Sequence, residues 1–146
     1  MDIELKNESL NYKSWVLNER QICDLEMILN GGFSPLNCFL NRDDYESVLS
    51  SMRLKNGSLW PIPINLDVNE EFSRKINPGD KLTLKDREGF SIAIIDIEDI
   101  WNPDLKKECM SIYGTTDNTH PGVDYLLNQS NPIYVGGKIR VISKPN

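Results

Sequence analysis

Apolar residues Ile22, Leu25, Met27, Ile28 and Leu29 recur at helical spacing, which predicts an amphipathic helix over 19–30. Asn18 is placed to cap it, with Gln21 three residues on completing a capping box. Gly31 and Gly32 stop it. Tyr45, Val48, Leu49 and Met52 form the stripe of a second helix, capped by Asn41 or Asp43. Lys55-Asn56-Gly57-Ser58 is a turn. Ile62, Ile64 and Leu66 then alternate with Pro61, Pro63, Asn65 and Asp67, predicting a strand whose polar side carries Asp67. Pro61 and Pro63 remove two backbone donors from one side of that strand, so an edge or a seam is expected there.

The second half carries more strand pattern. Residues 70–76 read as a short helix capped by Asn69, with Phe72 and Ile76 inward. The turn Asn77-Pro78-Gly79-Asp80 precedes a strand over 81–85 with Leu82 and Leu84 inward. A hairpin loop over 86–89 leads to a return strand over 90–100. Phe90, Ile92 and Ile94 share one face while Ile95 and Ile97 share the other; a bulge or burial on both faces would each produce this slip. Asn102-Pro103-Asp104 opens a third helix that Gly114 ends. Residues 123–128 read as a short helical segment, and 133–135 and 138–143 as closing strands separated by Gly136-Gly137. The first ten residues carry weak pattern, and 12–17 suit a short strand or lead-in. The fold class is α+β: a small, mostly antiparallel pseudo-barrel with flanking short helices.

Composition narrows the class. A chain of 146 residues, 39% hydrophobic and 26% charged, suits one soluble globular domain. No apolar run approaches the ~20 residues of a membrane helix, and the polar start lacks a signal-peptide centre, so a cytoplasmic location is expected. Sixteen basic against twenty-two acidic residues give a net charge of −6, which argues against nucleic acid as a partner. Cys23, Cys38 and Cys109 are widely spaced and read as reduced, buried spacers.

Candidate chemistry is sparse. Gly31-Gly32 could cradle phosphate, but the Gly-x4-Gly-Lys-Ser/Thr pattern is absent here and at Gly136-Gly137-Lys138. The segment Asn30-Gly31-Gly32-Phe33-Ser34-Pro35-Leu36-Asn37 carries apolar anchors and reads instead as a packed connector or docking surface. His120 is the only histidine; without a partner at ligand spacing it suits loop ordering better than catalysis or metal binding. The pairs Asp43-Asp44 and Glu70-Glu71 fall at helix starts, where acids complement the dipole. Lys138, Arg140 and Lys144 form a modest positive stripe, a solvated face or a surface for an acidic partner.

The ordered set of short motifs resembles a known family. Residues 30–37 with Phe39-Leu40, then Met52-Arg53-Leu54, Leu59-Trp60-Pro61-Ile62-Pro63-Ile64, Asn77-Pro78-Gly79-Asp80, Tyr113-Gly114-Thr115-Thr116-Asp117, His120-Pro121-Gly122-Val123 and Tyr134-Val135-Gly136-Gly137-Lys138 resemble the N-terminal PUA-like domain of sulfate adenylyltransferases (ATP sulfurylases). The resemblance covers essentially the whole chain. It implies a family that makes adenylyl sulfate and pyrophosphate from ATP and sulfate in a separate, C-terminal catalytic domain. That domain's Gln-x-Arg-Asn-Pro and His-x-x-His motifs do not occur here; Asn131-Pro132 lacks the preceding arginine. ATP and magnesium are therefore expected only in the absent catalytic domain, and no cofactor or metal in this one. The implied role is to pack against a catalytic domain, in cis or in trans, with homo-oligomerisation left open. A free-standing module for RNA or a small anionic ligand is the alternative. Cys38 departs from the pattern, standing where glycine is expected.

Overall fold

The computed structural model describes residues 2–29, 38–57 and 63–142. The expectations for residues 30–37, for 58–62 including Pro61, and for Ser143 and Lys144 lie outside these. Six strands are seen: β1 (Ser14–Val16), β2 (Cys38–Phe39), β3 (Leu66–Val68), β4 (Lys81–Lys85), β5 (Ser91–Trp101) and β6 (Ile133–Val141). Helices α1 (Ile3–Ser9), α2 (Glu19–Leu29), α3 (Arg42–Ser51), α4 (Glu70–Ser73), α5 (Leu105–Tyr113) and α6 (Pro121–Asp124) flank them, and a π-helical turn, Tyr125–Gln129, follows α6. The strand order is β1-β4-β5-β6-β2, with β3 also paired to β6. Only β1 and β4 run parallel. The class is α+β, and among the described residues the sheet is an open path rather than a closed ring.

Local chemistry explains most element boundaries. Asn18 Oδ1 accepts from Gln21 N at 2.9 Å and Gln21 Oε1 accepts from Asn18 N at 3.1 Å, a complete capping box at the head of α2. Asn41, Asn69 and Asp104 cap α3, α4 and α5 in the same one-sided way. Gly114 closes α5 with φ of 70°, the left-handed conformation glycine adopts without strain. α1 needed its Asp2 cap and its seat on the sheet, where Asp2 N donates to the Ile142 carbonyl; its own sequence has little periodicity.

The structure decides one open sequence expectation and changes others. The phase slip in β5 reflects burial on both faces: Ile92, Ala93, Ile94 and Ile95 are all buried. Register shifts fall on either side of it, against β4 where Leu84 pairs with Ala93 and Lys85 with Ser91, and against β6 between Ile97 and Asp99; Phe90 is exposed, unlike Ile92 and Ile94. Met52 leaves its helical stripe; it is the left-handed residue that caps the C-terminus of α3, φ 56°, and is exposed. The closing strands are one continuous strand, because Gly136 and Gly137 sit inside β6 where other backbone passes too close for any side chain. Cys23 faces solvent, whereas Cys109 is buried.

Cys38 lies in β2, extended and half-buried, paired with Lys138. Nothing there requires positive φ. Cys38→Gly should therefore lose stability, on the order of 1 kcal/mol, in a urea titration; a gain would show that the cysteine is strained.

Candidate functional site

The main core runs along the sheet and takes in Leu25, Phe39, Leu40, Leu66, Leu82 and Ile95. A second, smaller cluster joins Cys109, Val123 and Leu126 from α5, α6 and the π-helical turn. Polar groups are buried where the two meet. Glu108 of α5, 4% exposed, stands on the apolar stripe between Leu105 and Ile112. Its Oε1 accepts from Tyr45 Oη at 2.5 Å and from Tyr134 Oη at 2.8 Å. Tyr45, Trp101 and Tyr134 pack tilted or edge-on around one another, with centroids 5.4 to 5.8 Å apart. Burial pushes the Glu108 carboxyl up, and the two tyrosine hydroxyls pull it back. Both tyrosines are raised, first by burial and then by the neighbouring carboxylate.

A second network adjoins the first. Gln21 is buried and turns its amide inward, donating to Asp67 Oδ1 at 2.8 Å and to the Asp67 carbonyl at 2.6 Å. Asp67 Oδ2 accepts from Asn131 N at 2.8 Å. The alternation along residues 61–67 places Asp67 outward; in the structure it is buried, since β3 is covered on both faces. One glutamine thus caps α2, receives Trp15 Nε1 at 3.1 Å and fastens β3. Between the networks lies a polar cavity of about 30 Å³, lined by Arg20, Asp24, Asn65, Asp67, Glu108 and Tyr134 among others. Arg20 places its guanidinium 4.5 Å over the Tyr125 ring. Asp24 is pushed up to about 6 by burial, against the attraction of Arg20.

That shift carries a pH dependence. A carboxyl that holds its proton more tightly folded than unfolded favours the fold below its unfolded pKa of 3.8. The contribution fades as pH rises through about 6. Asp24→Asn should then stabilise the chain at pH 8 by roughly 1–2 kcal/mol, a value lowered for its partial exposure, and make little difference at pH 3.5. Melting temperatures of both chains across that range check it; a gain that does not shrink on acidification would contradict the assignment.

The residues singled out from sequence are scattered. Residues Asn30 to Asn37 lie outside the described residues. His120 caps α6: its Nδ1 accepts from Gly122 N at 3.1 Å, and its ring lies 4.7 Å from that of Tyr113. Lys138 and Arg140 share β6. Lys138 is exposed, but Arg140 contacts Glu8 and Asp96, each at 3.0 Å, so its charge is matched within the chain. No hydrogen bond among the described residues joins His120 to either. Of the residues that do converge, Gln21, Tyr45, Asp67 and Tyr134 are read from sequence only as cap, helical stripe, strand and motif positions, and Glu108 is not read at all. A glutamate on an apolar helical stripe was the one signal that could have found them.

Among the described residues no group of three or more His, Cys, Asp or Glu side chains is arranged to hold a metal ion. The cavity has room for one or two water-sized groups. A wider, shallow concavity of about 350 Å³ lies beside Tyr12, Lys13 and Lys81; there Lys13 Nζ donates to the Lys75 carbonyl and Tyr12 Oη to Glu8. Among the described residues no helix is long and apolar enough to cross a membrane.

The described residues form an open, mostly antiparallel sheet flanked by short helices and tied by buried polar bonds. The chain belongs to the PUA-like domain family, whose model matches residues 2–144. Over 142 residues it is 44% identical to the sulfate adenylyltransferase of Schizosaccharomyces pombe, covering 96% of this chain and 29% of that protein. Over 146 residues it is 46% identical to the sulfate adenylyltransferase of Aspergillus fumigatus, covering 98% and 25%. Among solved structures it resembles the hexameric APS kinase from Thiobacillus denitrificans, with a TM-score of 0.75 and 29% identity, over 98% of this chain and 24% of that one. The chain thus spans between a quarter and three-tenths of the curated relatives it matches, at their N-terminal end.

Proposed function

We propose that this chain serves as the non-catalytic N-terminal domain of a sulfate adenylyltransferase, packing against a catalytic domain that joins ATP and sulfate to give adenylyl sulfate and pyrophosphate. The observation that carries the reading is the near-complete match, 44–46% identical, to the N-terminal part of enzymes with that name. The geometry agrees with it. The buried Glu108, Tyr45 and Tyr134 side chains are tied to one another by structural bonds, and the cavity beside them is far smaller than a nucleotide needs. ATP and magnesium belong, on this reading, to the catalytic domain, and the compartment is the cytoplasm. The hexameric neighbour suggests that the assembled enzyme associates with itself. A module for RNA is less favoured, because Arg140 is held by two carboxylates and the net charge is −6.

A pyrophosphate-release assay on the isolated chain with ATP, magnesium and sulfate tests the catalytic half of this reading. No release above buffer is expected. Turnover that scales with the chain's concentration would overturn it.

A further inference from the structure

The small cavity has an imbalance of charge and of hydrogen-bonding groups. Among the described residues, Asp24, Asp67 and Glu108 line it from α2, β3 and α5, against the single cation Arg20. Arg20 is turned over the Tyr125 ring. The Asn65 Oδ1 atom on the cavity wall is buried and has no hydrogen-bond partner among the described residues. A buried acceptor left without a donor is costly and rare in native structures. Arg20 is exposed and Asp24 half-buried, so the cavity opens to the surface.

We propose that this cavity receives a primary ammonium, the head of a lysine side chain supplied by the rest of a longer enzyme. The proposal rests on the packing role stated above and names one contact within it. Three features select the occupant. The sign of the charge calls for a cation. The unpartnered Asn65 oxygen calls for a donor. The volume of about 30 Å³ admits a compact group the size of water. An ammonium is compact and carries three donors, whereas guanidinium is a wide planar fork. A nucleotide or a base is excluded by size.

Methylammonium is the probe for an isotope-labelled chain followed by NMR, with tetramethylammonium at equal ionic strength as the oversized control. Saturable shifts of the Asn65 side-chain amide and the Asp24 backbone amide are expected with methylammonium alone. Asp24→Asn should weaken them severalfold while leaving the rest of the spectrum folded. Equal, linear drift in both salts would overturn the proposal and leave the cavity to water. The outcome is separable from that of the packing role. A chimeric enzyme carrying this chain could be active while methylammonium gives only drift, which removes the ammonium contact alone. Saturable binding beside an inactive chimera would remove the packing role instead.

Discussion

Glu108→Ala lowers the stability of the chain by about 2–4 kcal/mol, the largest loss expected from removing one side chain's hydrogen bonds. Glu108 Oε1 is the acceptor for two buried tyrosine hydroxyls, so its removal strands both at once. Each stranded hydroxyl costs roughly 1–3 kcal/mol, and the cost of desolvating the carboxyl is recovered in part. Glu108→Gln keeps an acceptor oxygen at nearly the same place and should lose less than half as much. Tyr45→Phe and Tyr134→Phe each delete one bond and leave the other standing. Urea titrations of the four variants, with the slope unchanged, check this order. Equal losses for alanine and glutamine would mean that charge, not acceptance, is what Glu108 contributes.

Gly136→Ala should be as damaging, for a reason unrelated to backbone freedom. Neither Gly136 nor Gly137 has positive φ. What each lacks is room. A Cβ at Gly136 would overlap the Leu40 carbonyl oxygen and the Asn41 Cα. At Gly137 it would overlap the Asp96 carbonyl oxygen. These are backbone atoms, so no rotamer change relieves the clash. β6 would have to part from the segment after β2 on one side or from β5 on the other. Overpacking of this kind costs about 3 kcal/mol or more. Gly136→Ala and Gly137→Ala should therefore each reduce the melting temperature and the yield of folded chain. A Gly136→Ala chain as stable as the parent would show that β6 does not pass as closely as described.

The glycine pair also shows what local pattern conveys. Gly-Gly between two apolar runs reads as a break, because sequence reveals a missing side chain but not what fills its place. Elements fixed by neighbours in the chain were legible. The Asn18/Gln21 box, the caps at Asn41 and Asn69 and the stop at Gly114 all depend on contacts within a few residues. The hairpin of β4 and β5 was legible for the same reason, since Gly89 turns it with φ of 90°. Features fixed by distant partners were not. Asp67 bonds Gln21 46 positions away and Asn131 64 positions away, and its alternating neighbours place it on the wrong side. Glu108 meets Tyr45 across 63 positions. The i→i+5 bond from Ser130 N to the Tyr125 carbonyl, 2.8 Å, leaves no signature in residue type. The family resemblance was legible because it is carried by ordered short motifs. The junction those motifs surround was not.

The proposed packing role of this chain in a sulfate adenylyltransferase has a direct test. Replacing the matched N-terminal segment of the Schizosaccharomyces pombe enzyme with this chain tests it most directly. The measured quantity is pyrophosphate release by the purified chimera, beside the same enzyme with the segment deleted. The account predicts a soluble chimera with sulfate-dependent release, and little or none from the deletion. A soluble, folded chimera no more active than the deletion would contradict it.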